Sequence, residues 1–296
     1  MSTHKALVIH TLQQPPSIIE RPTPVPKEDE ILLKVSIVGY NLPSPLGVDI
    51  VGEVVSCGRD VTQYQVGDRV FAFGSPFSAD STGTQEYCVV PAWQSAPLPK
   101  GISADEAATF PLNAMTMVFA LLHKTGLNLR SPFGADKDEC NYSAESILII
   151  GGGTATGNFG VQLARLAKFG NIIVVASKAR ESQLKVLGAT TVIDRGLDES
   201  QIENQIGDVD ESRIGSKFAG YVRNQVLCNT MKYPHTTKEF WGVLPNLIEN
   251  GTLRPTTFQV VDGLDIETVD TFLVNYSRGL GQTKPHFHLG NTFAYW

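Results

Sequence analysis

The 296-residue chain is 42% hydrophobic and 18% charged, the composition of a globular protein with room for one large or two ordinary domains. Its net charge of -6 argues against nucleic acid or an anionic membrane as the main partner, since both select a basic face. Cys57, Cys88, Cys140 and Cys228 form no C-x-x-C and no short Cys/His spacing, so neither a disulfide framework nor a zinc knuckle is signalled. Met1-Ser-Thr-His-Lys5 lacks the apolar core of a signal peptide, and no apolar run reaches a membrane-spanning length. The expectation is a soluble, cytoplasmic protein.

Lys5-Ala-Leu-Val-Ile-His10 and Glu30-Ile-Leu-Leu-Lys-Val-Ser-Ile-Val38 read as strands on either side of a proline-rich connection from Pro22 to Pro26. Gly47 to Gly58 is a strand interrupted by Gly52, and an interior glycine marks a bulge or a barrel corner. Gln65 to Phe71 and Gln85 to Pro91 add two more, and such short, closely spaced strands predict a small, partly open barrel. A helix is expected from Ser103 to Leu122, capped by Ser103 with Asp105 and Glu106 in its first turn.

Further on, Ser146-Ile-Leu-Ile-Ile150 runs into Gly151-Gly-Gly-Thr-Ala-Thr-Gly157, an apolar helical segment from Gly160 to Phe169, and the apolar run Asn171 to Ser177. That is strand, glycine turn, helix, strand. Glycines let backbone approach a pyrophosphate, and the helix start offers it N–H groups and a positive dipole end. Counted back from Gly157 the fingerprint reads Gly152-x-Thr-x-x-Gly157, with Thr154 in place of the middle glycine. A tight turn with no ligand is the alternative. In the ligand reading Gly153, Thr154, Ala155, Thr156 and Gly157 line the pyrophosphate.

At the end of the second strand, where an acid would bind the ribose hydroxyls of NAD, the chain has Ser177-Lys178-Ala179-Arg180. A hydroxyl and two cations fit a 2′-phosphate, so Ser177, Lys178 and Arg180 point to NADP. Otherwise the two cations are a solvated first helical turn, although there they oppose the helix dipole. Strands follow at 172–176 and 191–193, then a polar helix from Glu199 to Ile206 and one more strand from Ala219 to Cys228. A doubly wound dinucleotide domain usually has about six strands, so most of its second half is missing.

Taken in order, Gly47-Val-Asp-Ile-Val-Gly-Glu-Val-Val55, Val66-Gly-Asp-Arg-Val70, Gly83-Thr-Gln-Glu-Tyr87, Ala107-Ala-Thr-Phe-Pro-Leu112 and the glycine turn resemble the medium-chain dehydrogenase/reductase superfamily. The likeness is greatest to its fungal zinc-independent enoyl reductases, including trans-acting ones that serve polyketide synthases. It continues through Asn250-Gly-Thr-Leu-Arg-Pro-Thr-Thr257, a helix from Ile266 to Tyr276, and Lys284-Pro-His-Phe-His288. The resemblance implies an α/β protein: a GroES-like, partly open β-barrel domain at 1–125, completed by 252–296, and a shortened Rossmann-type doubly wound nucleotide-binding domain at 126–251. It further implies NADPH-dependent reduction of the C=C bond of an α,β-unsaturated carbonyl or enoyl thioester in secondary metabolism. The substrate would be a small molecule or bound to a carrier protein, and the protein a monomer or homodimer.

The family brings nicotinamide and substrate to the segment matching Phe110 to Thr116, which makes Asn113 and Thr116 contact candidates; plain helix packing, with Asn113 exposed, is the alternative. No catalytic residue is assigned. Where zinc-dependent relatives have Gly-His-Glu, this chain has Gly47-Val48-Asp49, and no metal is expected. His286 and His288 alternate along one strand and share a face, but two ligands without a third read as surface histidines. After Ser36-Ile-Val-Gly-Tyr-Asn41 the family's lysine-bearing turn is missing, because Leu42 to Leu46 leads directly into the next strand. A quinone reductase and a catalytically impaired NADPH-binding remnant are the competing readings.

Overall fold

A computed structural model describes residues 2–9, 15–39, 47–134, 137–209, 226, 228–278 and 283–290. The chain divides into two compact units, Met1–Leu112 with Leu244–Glu249 and Pro255–Trp296, and Asn113–Val243 with Asn250–Arg254. The departure at 41–46, all of the strand expected at 219–228 but Val226 and Cys228, and the aromatic tail at 291–296 lie outside the described residues.

The first unit is β-rich. Strands β1 (Thr3–Val8) and β2 (Ser17–Pro22) pair antiparallel. The remaining strands are β3 (Glu30–Gly39), β4 (Asp49–Cys57), β5 (Arg69–Phe73), β6 (Tyr87–Pro91), β7 (Ser95–Pro97), β11 (Phe258–Asp262) and β12 (Lys284–His288). They form a seven-stranded sheet in the order β11-β12-β3-β4-β5-β7, with β6 also on β3. The ten-residue β3 serves three neighbours: β4 along its length, β6 at residues 30–34 and β12 at residues 37–39. Its Ile, Leu and Val side chains fit a pleated, largely buried surface. The register between β3 and β4 slips beside Gly52, where a Cβ would lie 2.6 Å from the Lys34 carbonyl oxygen, so the glycine sits where the sheet bends. Inside, Leu7, Ile31, Leu33, Val54, Val70 and Phe287 belong to one continuous apolar core.

The single helix expected at 103–122 is two, α1 (Ala104–Ala107) and α2 (Pro111–Leu122). Ser103 and Glu106 form a capping box at the start of α1, as the acidic first turn implied. Pro111 explains the break: a proline disfavours helical backbone in the residue before it but suits the first position of a new helix. After β11 comes α7 (Ile266–Ser277), whose Phe272 packs against the same core.

In the second unit β8 (Ser146–Ile150), β9 (Asn171–Ala176) and β10 (Thr191–Asp194) form a parallel sheet in the order β10-β9-β8. Its helices are α3 (Ala155–Leu166), α4 (Glu181–Leu187) and α5 (Glu199–Val209), together with α2 from Asn113 onward and α6 (Pro234–Glu249) as far as Val243. Each strand is joined to the next through a helix, as parallel pairing requires. On one face Ile173, Val175 and Ile193 pack beneath Leu197, Ile202 and Ile206 of the segment containing α5. Leu148 and Ile150 continue that face, in register with Ile173 and Val175, but are 41% and 76% exposed. Among the described residues β8 has one strand neighbour, so the doubly wound fold is present in shortened form.

Candidate active site

The glycine turn is shaped by three different constraints. Gly151 adopts φ +82°, a left-handed conformation that favours glycine. A Cβ on Gly152 would overlap Val174 Cγ1, and one on Gly157 would overlap the Gly151 carbonyl oxygen and lie 2.7 Å from Gly152 Cα. These two glycines therefore let α3 seat directly on the end of the sheet. Gly153 is under no such constraint, since its Cβ would meet Ala176 Cβ and Arg180 Cγ at an ordinary 3.6 Å.

Thr154, standing where the fingerprint has a glycine, is the N-cap of α3: its hydroxyl accepts from Gly157 N at 3.0 Å and donates to the Gly151 carbonyl at 2.9 Å. The Ala155 and Thr156 N–H groups, first and second in the helix, precede the point where intrahelical bonding begins and remain suited to an anion. Asn158, buried at 5% exposure, donates from Nδ2 to the Gly152 carbonyl at 2.6 Å and the Thr154 carbonyl at 3.1 Å. It ties both ends of the turn together. Its place one turn into the helix was the signal in the sequence, but its partners are backbone atoms that only the folded turn brings near.

Asn113 is 3% exposed rather than solvated, and its Oδ1 accepts from the Thr156 hydroxyl at 2.9 Å. A cleft of about 610 Å³ runs from Thr154 and Thr156 past Met117, Leu121, Leu148 and Ile150 to Val226. Thr116, half-buried on α2, is not among its lining residues. The cleft is chiefly apolar in its residues, so it suits a hydrophobic ligand beside the start of α3.

Ser177 follows β9, and Lys178–Arg180 form a short 3-10 turn leading into α4. No acid follows the second strand in the sequence, but the adjacent strand supplies one. Asp194, the last residue of β10 and in register with Ala176, accepts at Oδ1 from Lys178 N at 3.3 Å and Gly196 N at 3.1 Å. Glu181 lies between Lys178 and Lys185. Only strand register brings Asp194 to this place, so the sequence around the second strand carries no sign of it.

In the first unit Asp49 does not face solvent. Its Oδ1 accepts from Leu112 N at 2.6 Å and its Oδ2 from Lys284 Nζ at 2.7 Å, while Lys284 also donates to the Ala108 carbonyl at 2.9 Å. Burial pulls the Lys284 ammonium below its usual pKa, and Asp49 opposes that shift. His286 is likewise not the surface histidine expected: it is fully buried, stacked on Phe258 at 4.9 Å, with Nδ1 3.2 Å from Asp105 Oδ1. His288 Nε2 contacts both oxygens of the same carboxylate at 2.9 and 3.0 Å. One acid thus holds both imidazoles. Among the described residues no group of three or more His, Cys, Asp or Glu is placed to hold a metal. The zinc that part of the superfamily uses therefore finds no fitting donor set there, with Val48 in the histidine position and Asp49 already engaged. No helix of the described residues is long and apolar enough to cross a membrane.

Residues 26–100 match the alcohol dehydrogenase GroES-like domain. A zinc-type alcohol dehydrogenase-like protein of Staphylococcus epidermidis is 26% identical, over 83% of this chain and 86% of its own length. Trans-enoyl reductase opdC of Penicillium oxalicum is 35% identical over 60% of this chain, which spans only 54% of that relative. The crystal structure of CurK enoyl reductase superposes with a TM-score of 0.73 at 15% identity, covering 97% of this chain and 99% of that one, and so supports the fold. The barrel, the glycine turn and these likenesses agree: residues 26–100 carry the alcohol dehydrogenase GroES-like domain, and the chain is similar to medium-chain dehydrogenases/reductases, fungal trans-enoyl reductases among them.

Proposed function

We propose that the protein is an NADPH-dependent reductase of the C=C bond of an α,β-unsaturated carbonyl or enoyl thioester, free or carried by a partner protein. The observation that carries this reading is the crowded turn at Gly152 and Gly157, which presents the Ala155 and Thr156 N–H groups at the start of α3 one strand away from Ser177, Lys178 and Arg180. When bound, NADPH supplies a hydride to the substrate's β-carbon. The chain's own residues bind and orient. In this reading Gly153, Thr154, Ala155, Thr156 and Gly157 receive the pyrophosphate, and Ser177, Lys178 and Arg180 the 2′-phosphate. Asn113 fixes the Thr156 hydroxyl, and Thr116 contacts nicotinamide or substrate. The apolar cleft offers the substrate hydrophobic side chains beside the start of α3. The working domains are taken as 1–125 with 252–296, and 126–251.

Leu148 and Ile150 support a second reading, in which the chain binds nucleotide but turns over poorly, because the face that would support the nicotinamide half is bare. Purified protein titrated with NADPH and NADH, then assayed with an enone, an enoyl thioester and a quinone, separates the possibilities. Turnover of the enone or thioester near 10 per second, typical of enzymes, supports the reductase. NADPH binding without turnover supports the second reading, turnover of the quinone alone points to a quinone reductase, and equal affinity for NADH and NADPH refutes the cofactor assignment.

A further inference from the structure

The two cations after β9 are held differently. Arg180 lays its stem beside Gly153, and its Nη1 donates to Gln183 Oε1 at 2.9 Å, a neutral partner. Lys178 is 66% exposed, yet its Nζ lies 2.5 Å from Glu181 Oε2. The other oxygen of Glu181 lies 2.9 Å from Lys185 Nζ. One carboxylate therefore forks between two ammonium groups at helical spacings of three and four residues. Hydrogen bonds from Lys178 and then Lys185 hold the Glu181 carboxyl at about 2, so it stays anionic through the neutral range. Asp194 adds a second carboxylate against the Lys178 backbone. Two acids thus offset two of the three cations in the cluster.

Building on the NADPH reading, we propose that Glu181 is a specificity-determining residue: it occupies Lys178 in the free protein, and a ribose 2′-phosphate must displace it before Lys178 can bind. Lys185 makes the exchange possible, because Glu181 can release one ammonium while keeping the other. The preference for a 2′-phosphorylated nucleotide is then set by competition between two anions for Lys178, and is smaller than two free cations would give. Removing the Glu181 charge while keeping the side chain's size releases Lys178. Giving up an exposed ion pair of this kind weakens phosphate binding by up to about fivefold.

The test is calorimetric titration of the full chain with adenosine 2′,5′-bisphosphate and with 5′-AMP, which differ by the 2′-phosphate alone, using wild type, E181Q, K178Q and the double variant. E181Q should tighten bisphosphate binding about fivefold and leave 5′-AMP unchanged, and the gain should vanish in the K178Q background. Unchanged or weaker bisphosphate binding in E181Q overturns the proposal. So does an equal gain without Lys178, which would mark a general charge effect. The cofactor reading fails separately, if wild type binds the two nucleotides equally. Should a preference then emerge in E181Q, the role of Glu181 stands alone; should none emerge, both fall.

Discussion

Replacing Gly157 by alanine places a methyl carbon 2.7 Å from Gly152 Cα and in overlap with the Gly151 carbonyl oxygen. Carbon atoms in contact normally sit about 3.5–4.0 Å apart, so α3 or the turn must move by roughly 1 Å. Both obstacles are backbone, and neither can swing aside. Alanine is worth about 1 kcal/mol over glycine inside a helix, whereas overpacking costs about 1–3 kcal/mol, so the net loss of stability is modest, about 1 kcal/mol. Binding should suffer more. The displacement carries the Ala155 and Thr156 N–H groups away from the pyrophosphate, and one lost bond to a charged group, about 1.5–3 kcal/mol, weakens nucleotide at least tenfold. Gly153→Ala is the internal control, since its methyl meets only side-chain carbons at 3.6 Å. Urea unfolding and NADPH titration of both variants check the reasoning. If G157A binds NADPH like wild type, or G153A is the weaker binder, the turn does not cradle the pyrophosphate.

Lys284→Met should leave the buried Asp49 with the Leu112 N–H but no cation, and cost about 3–5 kcal/mol, read by urea unfolding and by hydrogen exchange in β4 and β12 peptides. The Asp105 cluster gives wild type an acid sensitivity of its own. Although burial opposes it, hydrogen bonds from His286 and His288 lower the Asp105 carboxyl, so that contribution is lost as pH falls through the folded-state value. Burial also lowers His286, whose folded state resists protonation, so stability falls again once pH drops below the ordinary histidine range. Melting temperatures from pH 4 down to pH 2 should decline less in D105N than in wild type. Metal analysis of the purified protein should find no stoichiometric zinc.

Local patterns carried most of the elements. Alternating Ile, Leu and Val in β3, the glycine turn before α3 and the apolar run of β9 are each legible within ten residues or so, because strand and turn propensities act over that range. Even the break at Pro111 had its local signal, although the longer periodic pattern on either side concealed it. Contacts between distant residues were not legible. Asp49 meets Lys284 across 235 positions, His286 meets Asp105 across 181, and Asp194 reaches the Lys178 backbone through strand register. Glu181 lies between these cases: its spacing to both lysines is plain in the sequence, but its bearing on a ligand emerges only when Lys178 stands at the end of β9.

Seen by strand, the site divides unevenly. β8 leads into the glycine turn, β9 into Ser177, Lys178 and Arg180, and β10 ends in Asp194, so the three paired strands carry every residue that the NADPH proposal assigns to the adenosine and pyrophosphate portions. At β8 itself the same sheet face is apolar and open at Leu148 and Ile150. Affinity and turnover depend on different parts of this arrangement. Charge-assisted bonds at the phosphates tolerate a loosely held nicotinamide, whereas hydride transfer loses about a hundredfold when donor and acceptor stray by an ångström. Under the proposed NADPH reading, such a chain retains its nucleotide more securely than it positions the reacting end, and whatever covers Leu148 and Ile150 governs the rate before it governs binding.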